Sequence, residues 1–235
     1  MKSVKARGIV LREYEAGESD KRLLLLCKGY GKIVAYARGA RKPSSKFMAC
    51  AQLFTYADFV LTQGSNFHSL AQAEVIENFY PIRQNYDRFV AACLIAGVCE
   101  KTLWENLDCD ELLLLLLKSF SNLARGKLPT EQIICVFLFR FFTFHGTAPQ
   151  VDSCVLCSTP ANEMKGGAFL SPEGLACCNH KPHICRPVSA AAVAALTYIQ
   201  KSDLAKSFLF NAHENVLKEL RQAVDFLWEN YSQST

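Results

Sequence analysis

The chain has 235 residues, half of them hydrophobic and a fifth charged, with a net charge of +4. This composition excludes collagenous, low-complexity and wholly disordered chains and leaves material for one large domain or a few small ones. The charge is unevenly placed: residues 1–46 carry twelve Lys or Arg against four acids, net +8, and residues 47–235 carry fourteen against eighteen, net −4. A basic head on a mildly acidic body points to a polyanionic partner for the head.

From Val4 to about Ile76 the pattern is of short strands and turns. Strands are expected at Val4–Arg12, Arg22–Cys27, Lys32–Arg38, Phe54–Thr62 and His68–Val75. The third alternates cleanly, with Ile33, Ala35 and Ala37 on one face and Lys32, Val34, Tyr36 and Arg38 on the other. Ala16-Gly17-Glu18-Ser19, Gly29-Tyr30-Gly31 and Gly64-Ser65-Asn66 supply turn residues between strands. Five strands in so short a stretch suggest a small closed barrel of the OB type, with an SH3-like barrel as the alternative.

After Pro81 the pattern becomes helical. Tyr86–Glu105 is expected as a helix with Phe89, Cys93, Ala96 and Leu103 near one face, and Asp108, with Glu111 three residues on, is expected to cap a second. Pro129 and Thr130 open a third over Glu131–His145, apolar nearly all round and so central to a bundle, ended by Gly146 and Pro149. Ser189 is expected as the N-cap of a helix over Ala190–Tyr198. A last helix spans about His213–Tyr231, with Val216, Leu220, Val224, Leu227 and Tyr231 on one stripe, before a disordered Ser-Gln-Ser-Thr end. The expected class is thus α+β and multidomain: a five-stranded OB-fold nucleic-acid-binding domain at 1–80, a helical domain at 81–149 and 187–235, and a metal-binding module inserted at 150–186.

No export signal is visible in Met1–Arg12. The apolar runs Leu112–Leu117 and Ile133–Phe139 are far shorter than the about 18–20 residues a membrane span requires. The eleven cysteines are therefore expected as metal ligands or buried thiols rather than disulfides. Five of them fall between Cys154 and Cys185. Cys154-x2-Cys157 and Cys177-x2-His180 have the spacing of two zinc knuckles, each placing two donors on one tetrahedral ion. One structural zinc per chain is expected on Cys154, Cys157, Cys177 and His180, with Cys178, His183 and Cys185 as competitors for the fourth position. The other six, Cys27, Cys50, Cys93, Cys99, Cys109 and Cys135, are expected as small buried or partly buried thiols.

The basic run Arg38-Gly-Ala-Arg41-Lys42-Pro-Ser-Ser-Lys46 leaves the third strand as a loop. Arg38, Arg41, Lys42 and Lys46 are expected as principal phosphate contacts, with Lys5, Arg7 and Arg22 as secondary ones. Tyr30, Tyr36 and Phe47 lie among these charges, where bases of a single strand could stack. Phosphate-binding Gly loops, a G-x-S-x-G elbow and H-E-x-x-H are absent, so no enzymatic activity is expected.

Taken together, these residues resemble the RecO family of bacterial recombination mediators. The resemblance runs from Lys5-Ala-Arg7-Gly8 and Gly17-Glu18-Ser19-Asp20 through Tyr30-Gly31-Lys32, Arg38-Gly39-Ala40-Arg41 and Ala73-Glu74. It continues at Arg140, Gly146 and Pro149 and in the two knuckles. It departs at His180, where the family pattern has cysteine, and at Cys135–Phe144, which is richer in phenylalanine. The resemblance implies a cytoplasmic, nucleoid-associated, non-enzymatic protein of recombinational repair that binds single- and double-stranded DNA and anneals complementary strands. It also implies contact with the SSB C-terminal tail and, with RecR, help in loading RecA onto coated strands. Arg125, Lys127 and Arg140 are the cations nearest the helix that would receive that tail. The competing readings are a zinc-ribbon nucleic-acid interaction protein of transcription or translation and a zinc-dependent nucleic-acid enzyme.

Overall fold

The computed structural model describes residues 3–64, 67–102, 109–164 and 166–234. The chain forms two compact units, Met1–Arg125 and Gly126–Thr235.

In the first unit, β1 (Ser3–Ala16), β2 (Asp20–Cys27), β3 (Gly31–Ala37), β4 (Tyr56–Gln63) and β5 (His68–Glu77) close into a barrel in the order β1–β2–β3–β5–β4. All neighbours are antiparallel except β3 and β5. The expected five-stranded OB-type barrel is borne out. β1 runs four residues past the expected Arg12. A bulge between Val10 and Arg12 breaks its alternation and bends it, so that Ser3–Ile9 pair with β4 and Gly8–Ala16 pair with β2. Gly8 pairs with both neighbours, and a Cβ there would lie 2.5 Å from the Leu26 carbonyl oxygen and 2.6 Å from Cys27 Sγ.

The barrel core follows the two-residue period: Leu23, Leu25 and Cys27 of β2, Ile33, Ala35 and Ala37 of β3, and Ala57, Phe59 and Leu61 of β4 point inward. β4 begins two residues later than expected because Phe54 stands at φ 69° and leaves the strand direction. Its ring instead meets Phe89 and Phe120.

Three helices, α1 (Tyr80–Arg83), α2 (Tyr86–Thr102) and α3 (Asp110–Arg125), belong to the barrel's unit, α2 packing on β1 and α3 on β2. α2 buries Ala92, Ile95, Cys99 and, as expected, Ala96, whereas Phe89 and Cys93 of the expected face are only half-buried. The small alanines let the helix approach the strand closely, which a ranking by side-chain size does not see. Leu103, Glu105, the cap expected at Asp108, and Ser65 and Asn66 lie outside the described residues.

In the second unit, α4 (Thr130–Phe144) packs against α5 (Ala190–Lys201) and α6 (Glu214–Ser234). α4 buries every residue from Gln132 to Phe139, as expected of a central helix. The Gln132 amide donates to the carbonyls of Phe208 (2.8 Å) and Phe210 (2.9 Å), satisfying a polar group that would otherwise be costly in this apolar position. The Ser189 hydroxyl accepts the Ala192 N–H and caps α5 as expected. The closing residues, expected to be disordered, continue α6 through Ser234.

Between α4 and α5 lies a small antiparallel sheet of β6 (Ala168–Leu170), β7 (Leu175–Cys177) and β8 (Arg186–Val188), in the order β7–β6–β8. Each strand has three residues, too few for a readable alternation. Among the described residues, no helix is long and apolar enough to cross a membrane.

Candidate metal centre and nucleic-acid interface

The two knuckles converge. Ligand atoms of Cys154, Cys157, Cys177 and His180 all lie within 4.8 Å of one another, and the cluster could hold a metal ion. Cys157 Sγ is 3.7 Å from Cys177 Sγ, which is 3.2 Å from His180 Nδ1. Ligands at about 2.3 Å (sulfur) and 2.0 Å (nitrogen) from a tetrahedral zinc would be separated by comparable edges. The donor set and its spacing therefore fit zinc. The loops are shaped to make it so: Ser158 N–H returns to the Cys154 carbonyl, Cys154 N–H to that of Thr159, and Val155 N–H to that of Leu175. Gly174, at φ 147°, passes so close to Gln150 that a Cβ would meet its carbonyl oxygen at 2.3 Å.

Burial pushes the Cys154 thiol up, but the N–H groups of Cys177, Leu156 and Cys157 more than offset it and hold the thiol at about 6. A thiolate prepared at neutral pH is the form a metal needs. Cys178 and Cys185 lie outside the four-membered cluster: Cys185 Sγ is turned to the Pro182 carbonyl, and Cys178 is exposed. The six scattered thiols are buried (Cys27, Cys50, Cys99, Cys109 and Cys135) or half-buried (Cys93), as expected. Burial raises Cys27 to about 12 and Cys50 to about 11, which suppresses thiolate chemistry at both.

The basic run occupies the turns between β3 and β4. It is anchored to the β1–β2 turn: the Asp20 carboxylate accepts the Gly39 N–H at 2.7 Å, and the Ser19 carbonyl accepts the Arg41 N–H at 2.9 Å. Arg41 itself is an anchor, paired with Glu15 at 3.0 Å and donating to the Gly17 carbonyl at 3.2 Å. Arg38 and Lys42 are exposed and have no ion pair within 4 Å among the described residues.

Lys5, Arg7 and Lys46 line one open cleft of about 760 Å³ with Phe47, Asp58 and Glu74. Lys46 donates to the Ala71 carbonyl and lies over the Phe47 ring. Arg7 is engaged in two hydrogen bonds with Asp58, at 2.7 and 2.8 Å, which hold that carboxyl below its usual range. Its charge is thus largely compensated within the barrel.

Sequence reading passed over a third set. Arg12, Tyr14, Lys32 and Lys101 surround a hollow of about 610 Å³ on the outer face of β1–β3, together with the expected Arg22 and with Glu100. Arg12 and Tyr14 fall after the bulge, and Lys101 is brought in by α2. The alternation of β3 was the available signal for Lys32.

A closed OB-type barrel with a cation-bearing loop, joined to a helical unit that carries a Cys3His cluster, defines the architecture. The family described as Recombination protein O matches it in both halves, by its N-terminal model over residues 1–79 and its C-terminal model over residues 83–234. The chain belongs to the Recombination protein O family, a membership that supports a role in DNA repair and recombination. It is 34% identical to the DNA repair protein RecO of Acetivibrio thermocellus over 94% of this chain and 88% of that protein. It is 30% identical to the protein of that name from Bacillus pumilus, over 97% of this chain and 89% of that protein. For that from Heliobacterium modesticaldum the figures are 31%, 86% and 76%.

Proposed function

We propose that the chain is a cytoplasmic, non-enzymatic recombination mediator. It binds single- and double-stranded DNA, anneals complementary strands and, with RecR, helps load RecA onto strands coated by SSB. Family membership across both halves carries the reading, and Arg38 and Lys42, exposed cations of the anchored loop with no ion pair among the described residues, support it physically. Lys5, Arg22, Arg41 and Lys46 add positive potential around them, and Arg7 contributes least because Asp58 compensates it.

Cationic side chains displace counterions from phosphates without reading bases, so binding is largely indifferent to sequence. Two strands held on one cationic surface have their repulsion screened, and pairing then needs no chemical step. Residues 1–80 serve as the DNA-binding module, 81–149 and 187–235 as the helical body, and 150–186 as the metal module. Cys154, Cys157, Cys177 and His180 hold one zinc ion. A closed set of four protein donors leaves no position for water, so the ion contributes fold stability and no catalysis. The helical body receives the acidic SSB tail, with Arg140 as a cation for it: its Nε and Nη2 are buried without a hydrogen-bond partner among the described residues.

The test is annealing of complementary oligonucleotides, naked and SSB-coated, with the full chain. Acceleration of both supports the proposal. Binding of DNA without acceleration of either returns the chain to the class of nucleic-acid interaction proteins.

A further inference from the structure

The chain between β3 and β4, residues 38–55, has two limbs. The outgoing limb carries the basic run and is fastened at Gly39 and Arg41. The return limb is buried: Phe47, Cys50 and Ala51 enter the barrel core. Its last residues are held by two cations from elsewhere in the unit. Lys21 Nζ, on β2, donates to the Ala51 carbonyl at 3.0 Å and is paired with the Glu13 carboxylate of β1. Arg83 Nη2, on α1, donates to the Leu53 carbonyl and, at 3.2 Å, to that of Asn78.

The carbonyls of Leu53 and Asn78 stand immediately before Phe54 and Phe79, which lie at φ 69° and 46°. A bulky residue holds this left-handed region only where its surroundings impose it. Both rings pack edge-on to the same Phe120, with centroids at 4.9 and 5.7 Å. One guanidinium and one ring therefore fix both turns, the end of the loop and the entry to α1.

Neither cation is placed to meet a polyanion. The Lys21 side chain is only 15% exposed. Arg83 is half-buried, its Nη2 is occupied by two carbonyls, and its Nε is buried without a hydrogen-bond partner among the described residues. Burial pushes the pKa of this guanidinium down, and the Glu13 carboxylate works against it. Hydrogen bonds from charged donors are stronger than those between neutral groups, and here they act on chain outside any strand.

We infer that Lys21 and Arg83, with Glu13, are positioning residues for DNA binding: they fix the return limb, so that Arg38 and Lys42 on the outgoing limb stand ready for phosphates without either clamp residue touching them. This deepens the proposed function and rests on its assignment of the basic loop to DNA. A loop freed at one end keeps its cations and the phosphates they reach, but it has to be ordered at each encounter. Its affinity falls while its salt dependence stays. A cation that itself touches phosphate behaves differently, since its removal also lowers the salt slope by about 0.7 on a single strand.

The experiment is fluorescence anisotropy of the full chain with an oligo-dT over a series of salt concentrations, alongside hydrogen exchange of the loop read by mass spectrometry. Variants are Arg83→Ala, Arg83→Lys, Glu13→Gln, and Arg38→Ala with Lys42→Ala. Arg83→Ala is expected to lower affinity about three- to tenfold with the salt slope unchanged. Amide exchange should quicken over residues 38–55 and stay as it was in β2. Arg83→Lys, whose ammonium still has donors for both carbonyls, should restore affinity and protection together. Glu13→Gln decides by sign. Loss of a negative charge strengthens binding if Lys21 and Arg83 meet phosphates directly, whereas release of Lys21 from its pair is expected to weaken it about twofold.

Affinity unchanged in both Arg83→Ala and Glu13→Gln, with only the thermal midpoint lowered, would confine the clamp to stability and overturn the inference. A slope lowered by about 0.7 in Arg83→Ala, or stronger binding in Glu13→Gln, would make these cations direct contacts and overturn it as well. Should Arg83→Ala fail to fold, Glu13→Gln and Arg83→Lys carry the same test. If the Arg38/Lys42 pair weakens binding and the clamp variants do not, only the inference falls. If the Arg38/Lys42 pair changes nothing, the assignment of the loop to DNA falls first.

Discussion

The Asp20 carboxylate accepts the Gly39 N–H at 2.7 Å, tying the turn after β1 to the first residues of the basic loop after β3. Gly39 stands at φ 67°, so the chain reverses there and sends Arg38 and Lys42 outward. The acid is thus a fastener for a cationic loop. Two short motifs that are nineteen residues apart in sequence act as one structural element.

Asp20→Ala removes that fastener. A hydrogen bond to a charged group contributes about 1.5–3 kcal/mol. The variant is expected to lose about that much stability in chemical denaturation. It also deletes a negative charge beside the basic loop, which on charge alone would strengthen DNA binding. Weaker binding would therefore show that loop order outweighs charge; stronger binding would show the reverse and remove Asp20 from the interface's construction.

Arg38→Ala with Lys42→Ala is expected to lower the slope of log K against log salt by about 1.4 on single strands, two phosphates at about 0.7 each. Arg41→Ala is expected to cost affinity mainly through disorder, because its guanidinium is held by Glu15 and the Gly17 carbonyl. Glu15→Gln should then reproduce part of the Arg41→Ala effect in the same titration.

Metal analysis of the purified chain is expected to return about one zinc per molecule. Cys154→Ser should abolish it and leave the second unit unfolded or poorly expressed, whereas Cys178→Ser should retain it. Well-folded protein with no metal would remove the ion from the account, and loss of metal in Cys178→Ser would redraw the ligand set.

Gly8→Ala tests barrel closure. The new methyl would sit 2.5 Å from the Leu26 carbonyl oxygen and 2.6 Å from Cys27 Sγ, where β1 pairs with two strands at once. Overpacking of this kind costs about 1–3 kcal/mol. A clear fall in the thermal midpoint of the barrel is expected; an unchanged midpoint would mean that β1 and β2 separate without cost.

His145 carries a pH prediction for the second unit. Burial lowers its pKa below the usual 6.5, and its Nε2 is buried without a hydrogen-bond partner among the described residues. The unfolded chain therefore binds the proton more readily than the folded one. The associated stability is fully present above about 6.5 and is lost as pH falls through the lower folded value. Replacing His145 by Phe should flatten the acid side of the stability profile, read from thermal midpoints between neutral and mildly acidic pH.

Much of the barrel was legible because its strands alternate and its turns carry glycine: Ile33, Ala35 and Ala37 point inward as their spacing dictates. The knuckles were legible because two donors two residues apart leave few other uses. Lys42 and Arg41 looked equivalent in sequence and are not, since an exposed cation and a paired one differ only in what another segment brings to them. The meeting of Glu100 and Lys101 with Arg12, Tyr14 and Lys32 around one hollow was invisible for the same reason. Residue type and spacing determined the strands, the central helix, the metal donors and the basic head, because those depend on local periodicity and on the chemistry of each side chain. The tertiary structure alone decided which cations stay free, which acids neutralise the others, and how β1 bends to serve two neighbours, because each of these depends on groups far apart in the chain meeting at hydrogen-bonding distance.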